Sequence, residues 1–103
     1  MEVNKMSAEE RGVSLGNAIY NITLGGAEGN NDLVDNGHQI VFEHLIYIRN
    51  GVGIPMRSDI DPKTAVAETI EATVDWASKQ DGEVSMKDIG IKFMEIAAKT
   101  IFD

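Results

Sequence analysis

The chain of 103 residues contains no cysteine, two prolines and only 6% aromatic residues. The lack of cysteine excludes disulfides, thiolate metal ligands and thiol catalysis, and it is typical of a cytoplasmic protein. No apolar run approaches the roughly 20 residues that span a bilayer, and the first residues lack the basic-then-apolar order of a signal peptide. We therefore expect a cytoplasmic protein that does not enter a membrane.

Basic residues are also few, because nine lysines and arginines stand against 17 acidic residues, for a net charge of −8. Nonspecific binding of nucleic acid depends on neutralising phosphates, and no predicted helix presents a basic face. The sequence therefore predicts no nucleic-acid partner. It favours a protein partner with a basic surface.

The composition is that of one folded domain, since 43% of the residues are hydrophobic and 25% are charged. We predict a single all-α domain over residues 1–103, a four-helix bundle, with a flexible N-terminus at residues 1–6.

The first helix is predicted from a capping box formed by Ser7 and Glu10. It would run over residues 8–24 and stop at two consecutive glycines. Residues 25–31, which are rich in glycine and asparagine, are predicted to form a loop.

The second helix is predicted over about 31–49, with Asn31 or Asp32 as its cap. Residues 40–48 are rich in β-favouring side chains, so a strand is the alternative there. Asp61 followed by Pro62 predicts the start of a third helix that ends near residues 80–82.

The fourth helix is predicted from its cap, Ser85, to the end of the chain, and it is apolar around most of its circumference. Such a helix has to be buried on most sides, and a chain of 103 residues offers few neighbours. We therefore predict a homo-oligomer, and specifically a homodimer. Its interface would contain Ile91, Met94, Ala98, Ile101 and Phe102.

Gly12 and Gly16 lie four residues apart in the first helix, on one face. Two interpretations stand. Either they allow another backbone to approach closely, or they are glycines that simply weaken a helix.

Two groups of side chains favour a non-enzymatic interaction protein, such as an adaptor, regulator or inhibitor. Phe42 and Ile46, one turn apart on the polar side of the second helix, are candidate apolar anchors. An acidic stripe on the third helix would attract a basic partner, and it consists of Glu68, Glu71 and Asp75.

The same acidic stripe is similar to the metal-binding acids of all-α nucleotide pyrophosphatases, which implies a Mg²⁺-dependent enzyme as one alternative. Those enzymes need a second acidic pair on a facing helix, whereas the second helix offers Glu43 alone. The sequence is not assigned to that family. No metal site and no cofactor are predicted.

The remaining alternative is a pocket for a small ligand or nucleotide at the subunit interface. The uncharged strip formed by Ser14, Asn17 and Asn21 would supply hydrogen bonds, with His44 and Arg57 nearby. His44 is the one titratable residue on the apolar face of the second helix, where a hydrogen-bonded core histidine is the simpler interpretation. No serine, histidine and acid pattern indicates a nucleophilic triad.

Overall fold

A computed structural model describes residues 5–52 and 57–102. Within these residues the chain forms four α-helices: α1 (Ala8–Glu28), α2 (Asn31–Val52), α3 (Pro62–Ser78) and α4 (Met86–Thr100). The predicted all-α class is confirmed. Residues 40–48 are helical, so the strand alternative is wrong. Of the predicted flexible segment, residues 1–4 lie outside the described residues.

Three of the four predicted helix starts are confirmed by their caps. The cap predicted at Asn31 or Asp32 is wrong, because α2 already begins at Asn31 and the side chain of Asn30 accepts a hydrogen bond from the backbone N–H of Leu33 at 3.2 Å. The hydroxyl of Ser7 accepts a hydrogen bond from the backbone N–H of Glu10 at 3.2 Å, and the carboxylate of Glu10 accepts one from the N–H of Ser7 at 3.2 Å. Asp61 caps α3, with Pro62 at its first position, and Ser85 caps α4. Each cap satisfies an N–H group that the first helical turn leaves without a partner.

The loop predicted at residues 25–31 is mostly wrong, because α1 continues through both glycines to Glu28. The turn occurs at Gly29, whose φ of 73° is the left-handed conformation that glycine adopts readily. Gly25 is buried, and a Cβ atom there would press on the side chain of Val34 in α2. Gly25 therefore serves helix packing rather than chain reversal.

The helices α1 and α4 form the central pair, with α2 packed on α1 and α3 packed on α4. All four contribute apolar side chains to one core. Its fully buried large members are Leu15, Ile19, Val41, Leu45, Val66, Phe93 and Ile101.

The two central helices cross where their backbones touch. A Cβ atom on Gly16 would overlap the carbonyl group of Met86, and one on Gly90 would overlap the carbonyl group of Gly12. Of the two interpretations of Gly12 and Gly16, the close approach is the one the structure shows. Glycine is required here because any side chain would push the helices apart.

The helix α4 is covered largely by its own chain. Phe93, Ala97 and Ile101 are no more than 1% exposed, and Met94 and Phe102 pack against the core. The helix ends at Thr100, three residues before the predicted end, and Asp103 lies outside the described residues. The apolar circumference of α4 is thus mostly accounted for by α1 and α3 without a second copy.

Two buried threonines on α3 were not predicted as core residues. The hydroxyl of Thr69 donates to the carbonyl of Ala65 at 2.8 Å, and that of Thr73 donates to the carbonyl of Thr69 at 2.7 Å. These bonds satisfy the hydroxyls within their own helix. Across the described part of the chain, no helix is long and apolar enough to cross a membrane.

Replacing Gly16 by alanine tests the crossing of α1 and α4. The new methyl group would meet the Met86 carbonyl, so we expect Gly16→Ala to lower the free energy of unfolding by about 3 kcal/mol or more. Gly26→Ala is the matched control on the same helix, because nothing lies within 4 Å of its Cβ position. Alanine there should raise the stability by about 0.5 kcal/mol. Urea unfolding of both variants checks this, and equal effects would contradict it.

Candidate functional site

His44 of α2 and Ser14 of α1 form a polar contact between two helices. The imidazole Nε2 lies 3.0 Å from the Ser14 hydroxyl oxygen. The side chain of His44 is 0% exposed, so this contact lies beneath the protein surface and away from solvent. The other ring nitrogen, Nδ1, is buried and has no hydrogen-bond partner among the described residues.

The surroundings of His44 disfavour its charged form. Burial lowers the pKa of His44 below its ordinary value of 6.5, the positive charge of Arg11 lowers it further, and the carboxylate of Glu43 opposes these effects. A neutral imidazole carries one proton, which can sit on either nitrogen. A proton on Nδ1 would leave a buried N–H donor without an acceptor, so we assign it to Nε2, which then donates to Ser14.

The direction of this hydrogen bond determines what Ser14 and His44 can do chemically. A histidine that acts as a base on serine must accept the hydroxyl proton and must be oriented by a third group on its other nitrogen. Nδ1 meets no such group in the described part of the chain. The geometry of Ser14 and His44 is therefore that of a hydrogen-bonded core histidine and not of a nucleophilic dyad.

The uncharged strip proposed from the sequence lies together in space. Ser14, Asn17 and Asn21 line a groove of about 560 Å³. We call it the polar groove; its other walls include Val13 and Ala18 of α1 and Ile40 of α2.

Arg57 does not line the polar groove. Its backbone N–H donates to the carbonyl of Ile101 at 2.8 Å, and its guanidinium pairs with the carboxylate of Asp59 at 2.6 Å. Hydrogen bonds from Arg57 lower the pKa of Asp59. The structure thus brings four of the five proposed pocket residues together and places Arg57 at the end of α4.

Phe42 lies in a second groove, which runs between α2 and α3 and measures about 530 Å³. We call it the α2–α3 groove; its lining residues are Asp35, His38, Gln39, Phe42, Lys63 and Ala67. Phe42 is half-buried and packs partly on the core. Ile46 lies one turn further along α2 and is 44% exposed.

The acidic stripe of α3 is exposed along its length. Glu68, Glu71 and Asp75 line one side of a shallow concavity, to which α1 contributes Thr23. Asp75 pairs with Lys79 at 3.0 Å on the same helix. Among the described residues, no group of three or more acidic or histidine side chains is arranged to hold a metal ion.

The concavity beside the acidic stripe and the α2–α3 groove share one residue. Ala67 lines the groove beside Phe42 and also lines the concavity beside Glu68. Apolar and acidic surfaces therefore meet along one side of α3. This continuity was not predicted, because it depends on how α2 and α3 are placed relative to each other.

The residues proposed for an oligomer interface divide into two groups. Ile101 belongs to the core of the single chain, whereas Ile91 is 38% exposed and Ala98 is exposed. Met94 and Phe102 are half-buried. The members of this set that reach the surface are thus Ile91, Ala98 and part of Met94 on α4, and part of Phe102 just after it.

Sequence reasoning also missed the role of Arg11. Its guanidinium lies 4.8 Å from the centre of the Tyr47 ring and donates to the carbonyl of Met6 at 2.6 Å. A cation over an aromatic ring is favourable at this distance. Since Arg11 and Tyr47 are 36 positions apart in the sequence, no local pattern indicates the contact.

No protein-family model, no curated protein and no solved structure matches the chain.

The lowered pKa of His44 predicts how stability changes with pH. The unfolded state takes up a proton near pH 6.5 and the folded state does so only at lower pH, so stability should fall as the pH decreases below about 6.5. The slope cannot exceed about 1.4 kcal/mol per pH unit for one proton.

Urea unfolding of wild type and His44→Gln between pH 7.5 and 5.5 checks this prediction. Glutamine retains an N–H donor but does not titrate, and His38 is present in both proteins. The difference in stability between the two should therefore shift against the wild type as the pH falls. A constant difference would contradict the prediction.

Proposed function

We propose that this protein is a non-enzymatic interaction module that binds a basic amphipathic helix of another protein. The binding surface consists of the α2–α3 groove, with Phe42 and Ile46 as apolar anchors, and the acidic stripe Glu68, Glu71 and Asp75. The observation that supports this proposal is the continuity of the two surfaces through Ala67.

The shape of the groove favours a helical partner. It lies between two helices, and an amphipathic helix commonly lays its apolar face into a hydrophobic groove of this kind. Phe42 offers a half-buried aromatic ring within the groove, and Ile46 extends the apolar surface by one turn. A few such anchors supply most of the binding free energy in typical interfaces.

The charges beside the groove favour a basic partner. Glu68 and Glu71 are exposed and make no ion pair within the described residues. The whole chain carries a charge of −8, which attracts cationic partners from a distance. A partner helix with lysine or arginine along one flank would satisfy the acidic stripe while its apolar side fills the groove. A cytoplasmic location remains part of this proposal.

Charge reversal tests the acidic stripe with a defined probe, a synthetic 18-residue helix of leucine on one face and lysine on the other. Glu68→Lys/Glu71→Lys should weaken its binding about tenfold or more, measured by fluorescence anisotropy at low and moderate salt. Asp81→Lys/Glu83→Lys is the control, since both residues are exposed and lie after α3. Each double variant changes the net charge from −8 to −4.

The control should bind the probe nearly as well as the wild type. Equal weakening in both double variants would mean attraction by net charge alone and would overturn the assigned surface. Phe42→Ala should also weaken binding of the probe, and this weakening should persist at high salt, where apolar contacts dominate.

We further propose that two chains pair through the exposed part of α4. Support comes from Ile91, an exposed isoleucine, from Met94 and Ala98 along the same helix, and from Phe102 just beyond its end. Analytical ultracentrifugation of the wild type should show a dimer that dissociates on dilution, whereas Ile91→Lys should remain a single chain. Single chains of wild type at every concentration tested would contradict the pairing.

A further inference from the structure

Two pairs of asparagine followed by glycine lie in α2, Asn36–Gly37 in its interior and Asn50–Gly51 at its C-terminal end. Asparagine is a thermolabile residue, because the backbone nitrogen of the next residue can attack its side-chain carbonyl carbon. A following glycine favours this attack, since it has no Cβ atom to hinder the approach and adopts many backbone conformations. The same reactive pair therefore occurs twice in one helix, in two different surroundings.

The asparagine side chains do not distinguish the two pairs. Asn36 and Asn50 are both exposed, so water reaches both. Neither side-chain amide makes a hydrogen bond in the described part of the chain, and neither residue has a further interaction. The difference between the two pairs lies in the glycine.

Gly37 is held against another helix. It is buried in the interior of α2, and a Cβ atom there would lie 2.9 Å from the carbonyl oxygen of Ala18 on α1. A residue in a helix interior bonds its N–H to the carbonyl four residues earlier. For its nitrogen to reach the side chain of Asn36, Gly37 has to lose this bond and the centre of α2 has to unwind and leave α1. Such an opening approaches the cost of global unfolding.

Gly51 is not restrained in this way. It is exposed, only Val52 follows it in α2, and no other part of the described chain lies within 4 Å of the position of its Cβ atom. Only the last helical turn has to open for its nitrogen to reach the side chain of Asn50. The ends of helices open at a free-energy cost far below that of helix interiors.

We propose that Asn50 is a site of spontaneous deamidation and that the fold protects Asn36 from the same reaction. The nitrogen of Gly51 forms a bond to Cγ of Asn50, the bond between Cγ and Nδ2 breaks, and ammonia leaves with the proton of the Gly51 N–H. One water molecule then opens the resulting succinimide ring at either of its two carbonyl carbons. The products at position 50 are aspartate and isoaspartate, and no oxidant or reductant takes part.

The reaction changes the charge and the backbone at the end of α2. Each product carries one more negative charge than asparagine, so the net charge becomes more negative than −8. The free carbonyl groups at the C-terminus of a helix already carry partial negative charge, which disfavours a carboxylate there. Isoaspartate also adds one atom to the main chain. The reaction therefore destabilises the last turn of α2, and it does not depend on the partners proposed above.

Incubation of the folded protein at neutral pH, followed by tryptic digestion and mass spectrometry, measures both rates. Trypsin cuts after Arg49 and Arg57, so Asn50 begins a separate peptide, whereas Asn36 lies in the peptide that ends at Arg49. Deamidation replaces –NH₂ by –OH, and fragment spectra locate the resulting increase in mass. Digestion in ¹⁸O-labelled water identifies any asparagine that reacts during digestion. In the folded protein Asn50 should react at least about tenfold faster than Asn36.

The same incubation in guanidinium chloride is the control for the fold. The two asparagines should react there at similar rates, because neither glycine is then held in a helix. Gly51→Ala is the control for the chemistry, since its methyl group fits the open position but hinders the attack. It should slow the reaction at Asn50 without changing that at Asn36.

Four results would overturn the proposal. The first is equal rates at Asn36 and Asn50 in the folded protein. The second is an Asn50 that reacts in guanidinium chloride but not in the folded protein over the same time. The third is a difference between the two asparagines that persists in guanidinium chloride, and the fourth is an unchanged rate in Gly51→Ala.

Discussion

The contact between the backbones of α1 and α4 is the constraint from which the other positions follow. Gly12, Gly16 and Gly90 remove side chains from the crossing, so the two helices touch through Cα and carbonyl atoms. Around this pair, α2 packs on α1 and α3 packs on α4. Helices α2 and α3 border the α2–α3 groove instead of packing tightly against each other. The polar groove lies along α1, next to Ile40 of α2.

Polar groups inside this core are satisfied in two different ways. Thr69 and Thr73 donate to carbonyls of their own helix, and the hydroxyl of Thr69 also lies 3.0 Å from that of Thr100 on α4. His44 depends on Ser14 of another helix, and only one of its two nitrogens is satisfied. The hydroxyl of Thr73 is thus satisfied within its own helix, whereas that of Thr69 also links α3 to α4. His44 ties the placement of α2 to one surface residue of α1.

Local features of the fold could be predicted from the sequence. The caps at Ser7, Asp61 and Ser85 depend on hydrogen bonds within three residues, and all three were predicted correctly. Gly25 shows the limit of such reasoning, because composition does not distinguish a glycine in a loop from one that lets two helices meet. Its role depends on Val34, a neighbour on the next helix that a Cβ atom at Gly25 would meet.

Features that depend on the relative placement of helices could not be predicted. The apolar circumference of α4 indicated a need for cover, but not that α1 and α3 would supply most of it. Ser14 and His44 were assigned to one pocket from their faces, whereas Arg57 was assigned there from its position in a connection and instead bonds to Asp59 and Ile101. The sequence thus predicts on which face of a helix a residue lies, but not which residues from distant parts of the chain it contacts.

The short link between α1 and α2 has a consequence for the entropy of chain closure. Gly37 contacts Ala18, which lies 19 residues earlier in the sequence, whereas Gly90 contacts Gly12, which lies 78 residues earlier. The longer closure costs about 1 kcal/mol more in chain entropy, because this cost rises with the logarithm of loop length. Helices α1 and α2 can therefore associate as a helical hairpin. Van der Waals contact between the backbones of α1 and α4 at the glycines offsets the larger entropy cost of bringing α4 back to α1.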